Sequence, residues 1–334
     1  MRCISAEDVT VRFSKENRKC AGEKSPAHAF GKESFMYVAW EEVEKKQNSV
    51  RLFALINIIL TVVAILYGFV SIGKLNNPFV MVLALVPVGI LWWIFTTKLK
   101  AYKAMYKSVV VDRAAQGMFD RYVYSPEAGF SQEEIRATGI MSMGNRYDSE
   151  DMLEGSYKGV TFRRADIYIA QHHSNGKSSY TVVYLRGTWL TFTYNKMFLS
   201  DLQIRTKGFR YSDKKTSRIF TRESERRHSF ETESVEFNDA FECTCQNDSE
   251  AFYLLTPRVM QMLLLLKDEF GYDFMVGFVQ NRLHFAINSG KNNMEPPVFS
   301  GTSLGAEVET VRRELKIITN IVDSLAIDRD IFKE

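Results

Sequence analysis

The chain begins polar, turns abruptly apolar, and then settles into alternation. From Leu52 to Ile72 it reads LFALINIILTVVAILYGFVSI, twenty-one positions without a charge. At about 1.5 Å per helical residue, such a run spans a hydrocarbon core of about 30 Å. A second uncharged run, FVMVLALVPVGILWWIFTT, covers residues 79–97 and carries Trp92 and Trp93, rings that suit a headgroup layer. Helices apolar on every side are rare in soluble domains, so the two runs predict a transmembrane hairpin over residues 52–97. SIGKLNNP (71–78) is then its turn: Gly73 ends one helix, Asn76 and Asn77 suit the reversal, and Pro78 opens the next. Asn57 either bonds across the hairpin or back to its own helix, and Pro87 and Gly89 loosen one turn.

Basic residues set the orientation. The turn holds only Lys74, whereas Lys45, Lys46 and Arg51 precede the first run and Lys98, Lys100, Lys103 and Lys107 follow the second. Both termini are therefore expected on the cytoplasmic side of the inner membrane, in a multi-pass arrangement. The four lysines after the second run either touch anionic headgroups or simply obey the orientation rule. Residues 1–35 are polar, lack the apolar core of a secretory signal and read as a flexible extension, with 36–51 as a juxtamembrane segment. Met36 is a candidate alternative start.

Past the second run the helical period continues. Tyr102, Met105, Tyr106, Val109 and Val110 fall at i, i+3, i+4, i+7, i+8, with Lys103, Lys107 and Asp112 facing elsewhere, so residues 98–130 predict a helical stalk ending by Pro126 and Gly129. Ser131 and Glu134 form a capping-box pattern for a short helix from Gln132. Beyond Asn145 the pattern becomes that of strands. GVTFRRADIYIA, YTVVYLRG and TWLTFTYN predict an antiparallel meander, with HHSNGKSS as the loop between the first two.

Residues 205–235 form a charged connection, with nine Lys+Arg and five Asp+Glu between 205 and 233. They separate a strand-rich half at 131–204 from an α+β half at 236–334. In the second half FECTC and AFYLL read as short strands. Thr256 and Pro257 open a helix carrying Val259, Met260, Leu263, Leu264 and Leu266 on one face, and Gly271 stops it. YDFMVGFV and RLHFAIN predict a hairpin turning at Gln280 and Asn281, and a last helix runs from about Ser303 to Leu325. The fold class is therefore α+β: a two-helix membrane hairpin with a stalk, then an antiparallel cytoplasmic region in two halves.

Composition narrows the chemistry. Across 334 residues, 43 Lys+Arg against 40 Asp+Glu give a net charge of +3, too balanced for nucleic acid to be the main partner. Four cysteines, at 3, 20, 243 and 245, are too scattered for a disulfide framework. Cys243 and Cys245 share a strand face, but a pair without further ligands is a weak zinc signal, and core cysteines are the default. His172 and His173 read as a solvated turn. The run Arg226, Arg227, His228 is offset by Glu223, Glu225 and Glu231. No phosphate loop, nucleophile elbow or zinc-protease helix occurs, so no cofactor is expected.

The acidic run YDSEDMLEGSYKG (147–159) is the remaining candidate. Ser149, Glu150 and Asp151 suit a turn held by side-chain to backbone hydrogen bonds. The alternative is a membrane-tethered, metal-assisted hydrolase using Glu150, Asp151 and Glu154. A channel is disfavoured because neither apolar run holds a charge to line a polar path.

The blocks RYDSEDMLEGSYKGVTFRRADI, LRGTWLTFTYNKMF and FYLLTPRVMQMLLLLKDEFGYDFMVGFVQNRLHFAI resemble, in this order, a bacterial family known as domain of unknown function 3137. The resemblance covers roughly residues 36–334, including the apolar runs and the closing SLAIDRDIF. The first 35 residues and a stretch near 200–240 depart from it. It implies two N-terminal spans and a cytoplasmic α+β region, with no activity attached. By resemblance the best-fitting positions are Ser149, Glu150, Asp151, Gly155, Gly159, Asn195, Leu254, Thr256 and Pro257. The expected role is a scaffold or regulator at the membrane, partnered by the lipid bilayer and a further protein, rather than an enzyme.

Overall fold

The structure, a computed structural model, describes residues 26–75, 78–176, 178–193, 201–210, 227–292, 294–296, 298–299 and 303–325, with side chains described from residue 40 onward except 69–85 and 325. Two long helices come first, α1 (Pro26–Leu75) and α2 (Pro78–Ala115). They are followed by β1 (Arg121–Ser125), α3 (Gln132–Thr138), β2 (Arg146–Tyr157), β3 (Val160–Ser174) and β4 (Ser179–Thr193). Next come β5 (Leu202–Thr206), β6 (His228–Phe230), α4 (Val235–Ala240), β7 (Phe241–Cys245) and α5 (Asp248–Leu254). The chain closes with α6 (Pro257–Phe270), β8 (Asp273–Val279), β9 (Arg282–Asn288) and α7 (Leu304–Leu325).

Among the described residues nine strands form one antiparallel sheet in the order β1-β2-β3-β4-β9-β8-β5-β7-β6. Strands from the two expected halves thus share one sheet: β5 inserts between β7 and β8, and β4 pairs with β9. Alternation sorts the side chains between two layers. Phe162, Leu190, Phe192, Ile204, Phe274 and Phe285 join the larger core beneath α1, α2, α6 and α7. Ile167, Ile169, Trp189 and Met275 face a smaller core closed by Phe130, α3 and the loop after it.

Both long helices belong partly to the larger core. Val43 and Val50 of α1 and Tyr102, Tyr106, Val110, Val111 and Ala114 of α2 are buried there. Beyond them the apolar surface opens: Leu52, Leu55, Ile58, Ile59, Val62, Val63, Trp92 and Trp93 are all exposed. Among the described residues one stretch, Trp40–Gly68, is long and apolar enough to cross a membrane, and only 17% of its most apolar window is buried. A soluble core helix with the same composition would be enclosed. The second run lies partly outside the described side chains, and Asn76 and Asn77 of the expected turn lie outside the described residues. Asn57 combines both bonding alternatives, donating to Phe53 O at 2.8 Å and reaching Leu91 O of α2 at 3.4 Å.

Several local expectations are corrected. The stalk stops at Ala115, not near Pro126, because Gly117 takes a left-handed conformation and Arg312 of α7 donates to the carbonyls of Arg113 and Ala114. RYVYS, aromatic and β-branched, is then free to be the edge strand β1. His172 and His173 extend β3 rather than forming a loop, His172 Nδ1 lying 2.9 Å from Thr181 Oγ1 and His173 stacking on Tyr180. The two strands expected at 180–195 are one, β4, since Gly187 at φ 159° is extended backbone. The charged connection contributes the end of β5 and all of β6, and residues 211–226 lie outside the described residues. AFYLL belongs mostly to a helix: Asn247 accepts from Ser249 N and Glu250 N as N-cap, and Ala251 and Leu254 are the buried positions. The cap of α6 at Thr256, its first residue Pro257 and its stop at Gly271 form as the sequence indicates.

Candidate functional site

The acidic run lies in a strand rather than in a turn. Within β2 the register with β3 slips between Glu150 and Leu153, a β-bulge, and Asp151 adopts φ 63°. The neighbouring chain holds this kink. Asp151 N donates to Pro126 O, Met152 N to Ala128 O, and Ser149 Oγ accepts from Phe130 N while donating to Asp166 O. A non-glycine residue in the left-handed region is strained, so these bonds indicate a built feature.

The kink turns the Asp151 carboxylate, 0% exposed, toward α2. Lys107 Nζ donates to Asp151 Oδ2 at 2.7 Å and to Glu150 Oε2 at 3.1 Å. Tyr124 of β1 donates to Asp151 Oδ1 at 2.6 Å, and Asn292 Nδ2 to Glu150 Oε1 at 2.6 Å. On the same face of β3, Arg164 donates to Asp166 and to Thr188 Oγ1. Arg164 and Asp166 are 2% and 3% exposed, and among the described residues Arg164 Nη1 and Asp166 Oδ2 have no hydrogen-bond partner. Glu150, Asp151 and Asp166 thus oppose Lys107 and Arg164 where helix α2 crosses the sheet.

Burial works against the Lys107 ammonium, but Asp151 and Glu150 outweigh it and raise its pKa, so it stays charged. Burial pushes Asp151 upward, with Lys107 and Tyr124 holding it back. Asp166 is raised to about 6 by burial, opposed chiefly by Arg164. Opposite a neutral Asp166, the Arg164 charge would be less well balanced. The arrangement therefore clamps α2 onto β1, β2 and β3 through charge that tolerates little rearrangement.

Of the singled-out positions, Ser149, Glu150 and Asp151 meet here. Glu154 does not: it pairs with Arg163, which also bonds Glu134 of α3 under the opposite face. The three carboxylates of the hydrolase reading are divided by the sheet and do not converge on one cation. Gly155 sits where β1 approaches, since a Cβ there would lie 2.5 Å from Arg121 O. Gly159 with Lys158, φ 78° and 50°, makes the tight β2–β3 turn. Leu254, Thr256 and Pro257 lie at α5 and α6, apart from the cluster, and Asn195 lies outside the described residues.

Lys107 is not a headgroup lysine: it is buried because it sits at i, i+4, i+8 with Val111 and Ala115. Lys103 pairs with Glu295 at 2.7 Å, Lys98 lies over the Phe53 ring at 4.8 Å, and Lys100 is exposed. Sequence reasoning passed over Tyr124, Arg164, Asp166 and Asn292. The available signal was RRAD inside an otherwise apolar strand, which places Arg164 and Asp166 two apart on one inward face.

Fold and site together define an antiparallel α+β module whose helical layer extends into a long exposed apolar helix. Residues 183–327 match the family model described as protein of unknown function (DUF3137), and over that stretch the resemblance read from the sequence blocks holds. Among solved structures, the crystal structure of the mycobacterial trehalose monomycolate transport factor A, TtfA, is similar at TM-score 0.35 and 14% identity, covering 64% of this chain and 95% of that one. That likeness is too slight to carry argument. No curated protein matches the chain.

Proposed function

We propose that the protein is an integral membrane protein presenting its α+β module at the cytoplasmic face, where it acts as a scaffold or regulator that binds another protein. The observation that carries this reading is the way helix α2 is used. One end of it, with Trp92 and Trp93 exposed, adjoins the apolar surface of α1. The other end is buried in the main core and held through Lys107 to Asp151 and Glu150. A flexible tether needs no such attachment. Anchor and module built as one body suit a protein that positions a surface at a fixed height and orientation over the bilayer.

On this reading the runs at 52–72 and 79–97 are two spans, and Lys98 and Lys100 stand nearest the headgroups. The test is topological. The full chain should remain in the pellet after alkaline carbonate extraction, and a reporter fused at its C-terminus should be active only on the cytoplasmic side. A soluble product, or a reporter exposed outside the cell, overturns the reading. For the binding role, one companion should co-purify stoichiometrically in mild detergent and be lost on substitution of surface residues of the module.

A further inference from the structure

At the opposite edge of the sheet, His228 meets two side chains that lie close together seventeen or more residues later in the chain. His228 of β6 is paired directly across from Cys245 of β7, which puts both side chains on one face. Three residues later Asp248 opens α5, its position fixed by the Asn247 cap. His228 Nε2 lies 2.6 Å from Asp248 Oδ1 and 3.8 Å from Cys245 Sγ, and Sγ lies 3.3 Å from the same Oδ1. One nitrogen, one sulfur and one oxygen lie within 4.8 Å of one another.

A cysteine nucleophile with a His–Asp relay is excluded by atom identity. In such a relay one ring nitrogen faces the nucleophile and the other the carboxylate, whereas here Nε2 faces both. Convergence of three different donor atoms on one point is what a metal ion needs. Tetrahedral bonds of about 2.0 Å to N and O and about 2.3 Å to S place the ligand atoms roughly 3.3–3.5 Å apart. The Cys–Asp and Cys–His separations are already close to that, and the His–Asp pair needs to open by only about 0.7 Å.

We propose that His228, Cys245 and Asp248 form a binding site for a thiophilic divalent cation of the zinc class. The Cys245–Asp248 spacing is that of a C-x2-C knuckle with a carboxylate in place of the second thiolate. Thiolate and carboxylate together balance the +2 charge. On binding, the S–H bond breaks, its electron pair forms the metal–sulfur bond, and the proton leaves to solvent. Cys245 is buried while His228 and Asp248 are about half exposed, so the fourth position faces solvent and takes a water or a ligand from a partner. The ion would tie the three-residue edge strand β6 to β7 and α5.

The test uses the full chain in mild detergent, stripped with a chelator and titrated with Co2+ alone and then Zn2+ alone. The expected result is one equivalent of Co2+ with a thiolate-to-cobalt charge-transfer band, displaced by Zn2+. Cys245→Ser should abolish the band, Cys243→Ala should keep it, and His228→Ala and Asp248→Asn should each weaken binding by about tenfold or more. The exposed His228 and Asp248 substitutions test the site even where the Cys245 variant fails to fold. Failure to bind one equivalent, a band that persists in Cys245→Ser, or unchanged affinity in both exposed variants overturns the proposal.

Discussion

Replacing Lys107 by Met probes the clamp between α2 and the sheet. The substitution keeps the apolar stem and deletes the ammonium, leaving Asp151, 0% exposed, without its charged hydrogen-bond partner. At 2.7 Å and an effective dielectric near 20, that pair contributes about 6 kcal/mol of Coulomb attraction, partly offset by the desolvation of both groups. Breaking a buried pair from one side costs about 3–5 kcal/mol, or roughly 6–20 °C in melting temperature for a domain of this size. Thermal unfolding of the full chain in detergent measures it, with Lys100→Met as a control that removes equal charge from an exposed position. The sign of the pH effect is fixed as well. A buried carboxyl with a raised pKa takes up its proton more readily folded than unfolded, so the variant should regain stability as pH falls and Asp151 becomes neutral. Lys107→Met/Asp151→Asn, which removes the unpaired charge and keeps a residue that tolerates the left-handed backbone, should recover part of the loss at neutral pH. A single variant melting within roughly 2 °C of the wild type, or one that weakens further on acidification, would refute the reasoning.

Three further outcomes are expected. Asp166, raised to about 6, favours its protonated form when folded, so its contribution to stability should improve by about 2 kcal/mol between pH 7 and pH 4, a segment that Asp166→Asn flattens in a series of melts against pH. Gly155→Val should cost roughly 2–4 kcal/mol and release β1, because its Cβ would meet Arg121 O at 2.5 Å and Phe162 Cζ at 2.9 Å; amide hydrogen exchange at residues 121–125 should rise while the β8–β9 pair stays protected. Thr256→Ala removes the hydroxyl that accepts from Val259 N and should cost about 1 kcal/mol, read as a shift in denaturant midpoint without a change in slope.

What the sequence by itself determined was whatever rests on local pattern. Uncharged length marked the apolar helices, and Thr256, Pro257 and Gly271 bounded α6 through chemistry contained within a few residues. The β8–β9 hairpin was legible because its turn, with Gln280 at φ 57°, adjoins its strands. The helix α5 was misread because its cap, Asn247, had to be weighed against a β-rich composition. Tertiary structure alone decided that β5 and β7 join the same sheet as β1, since strand order depends on pairings between residues far apart in the chain. It alone also turned Lys107 inward: a lysine beside an apolar stripe looks solvated until an aspartate forty-four residues later is bent toward it by a bulge. Local periodicity reports which face of an element avoids water, whereas burying a charge depends on the partner that meets it there, and that partner comes from another part of the chain.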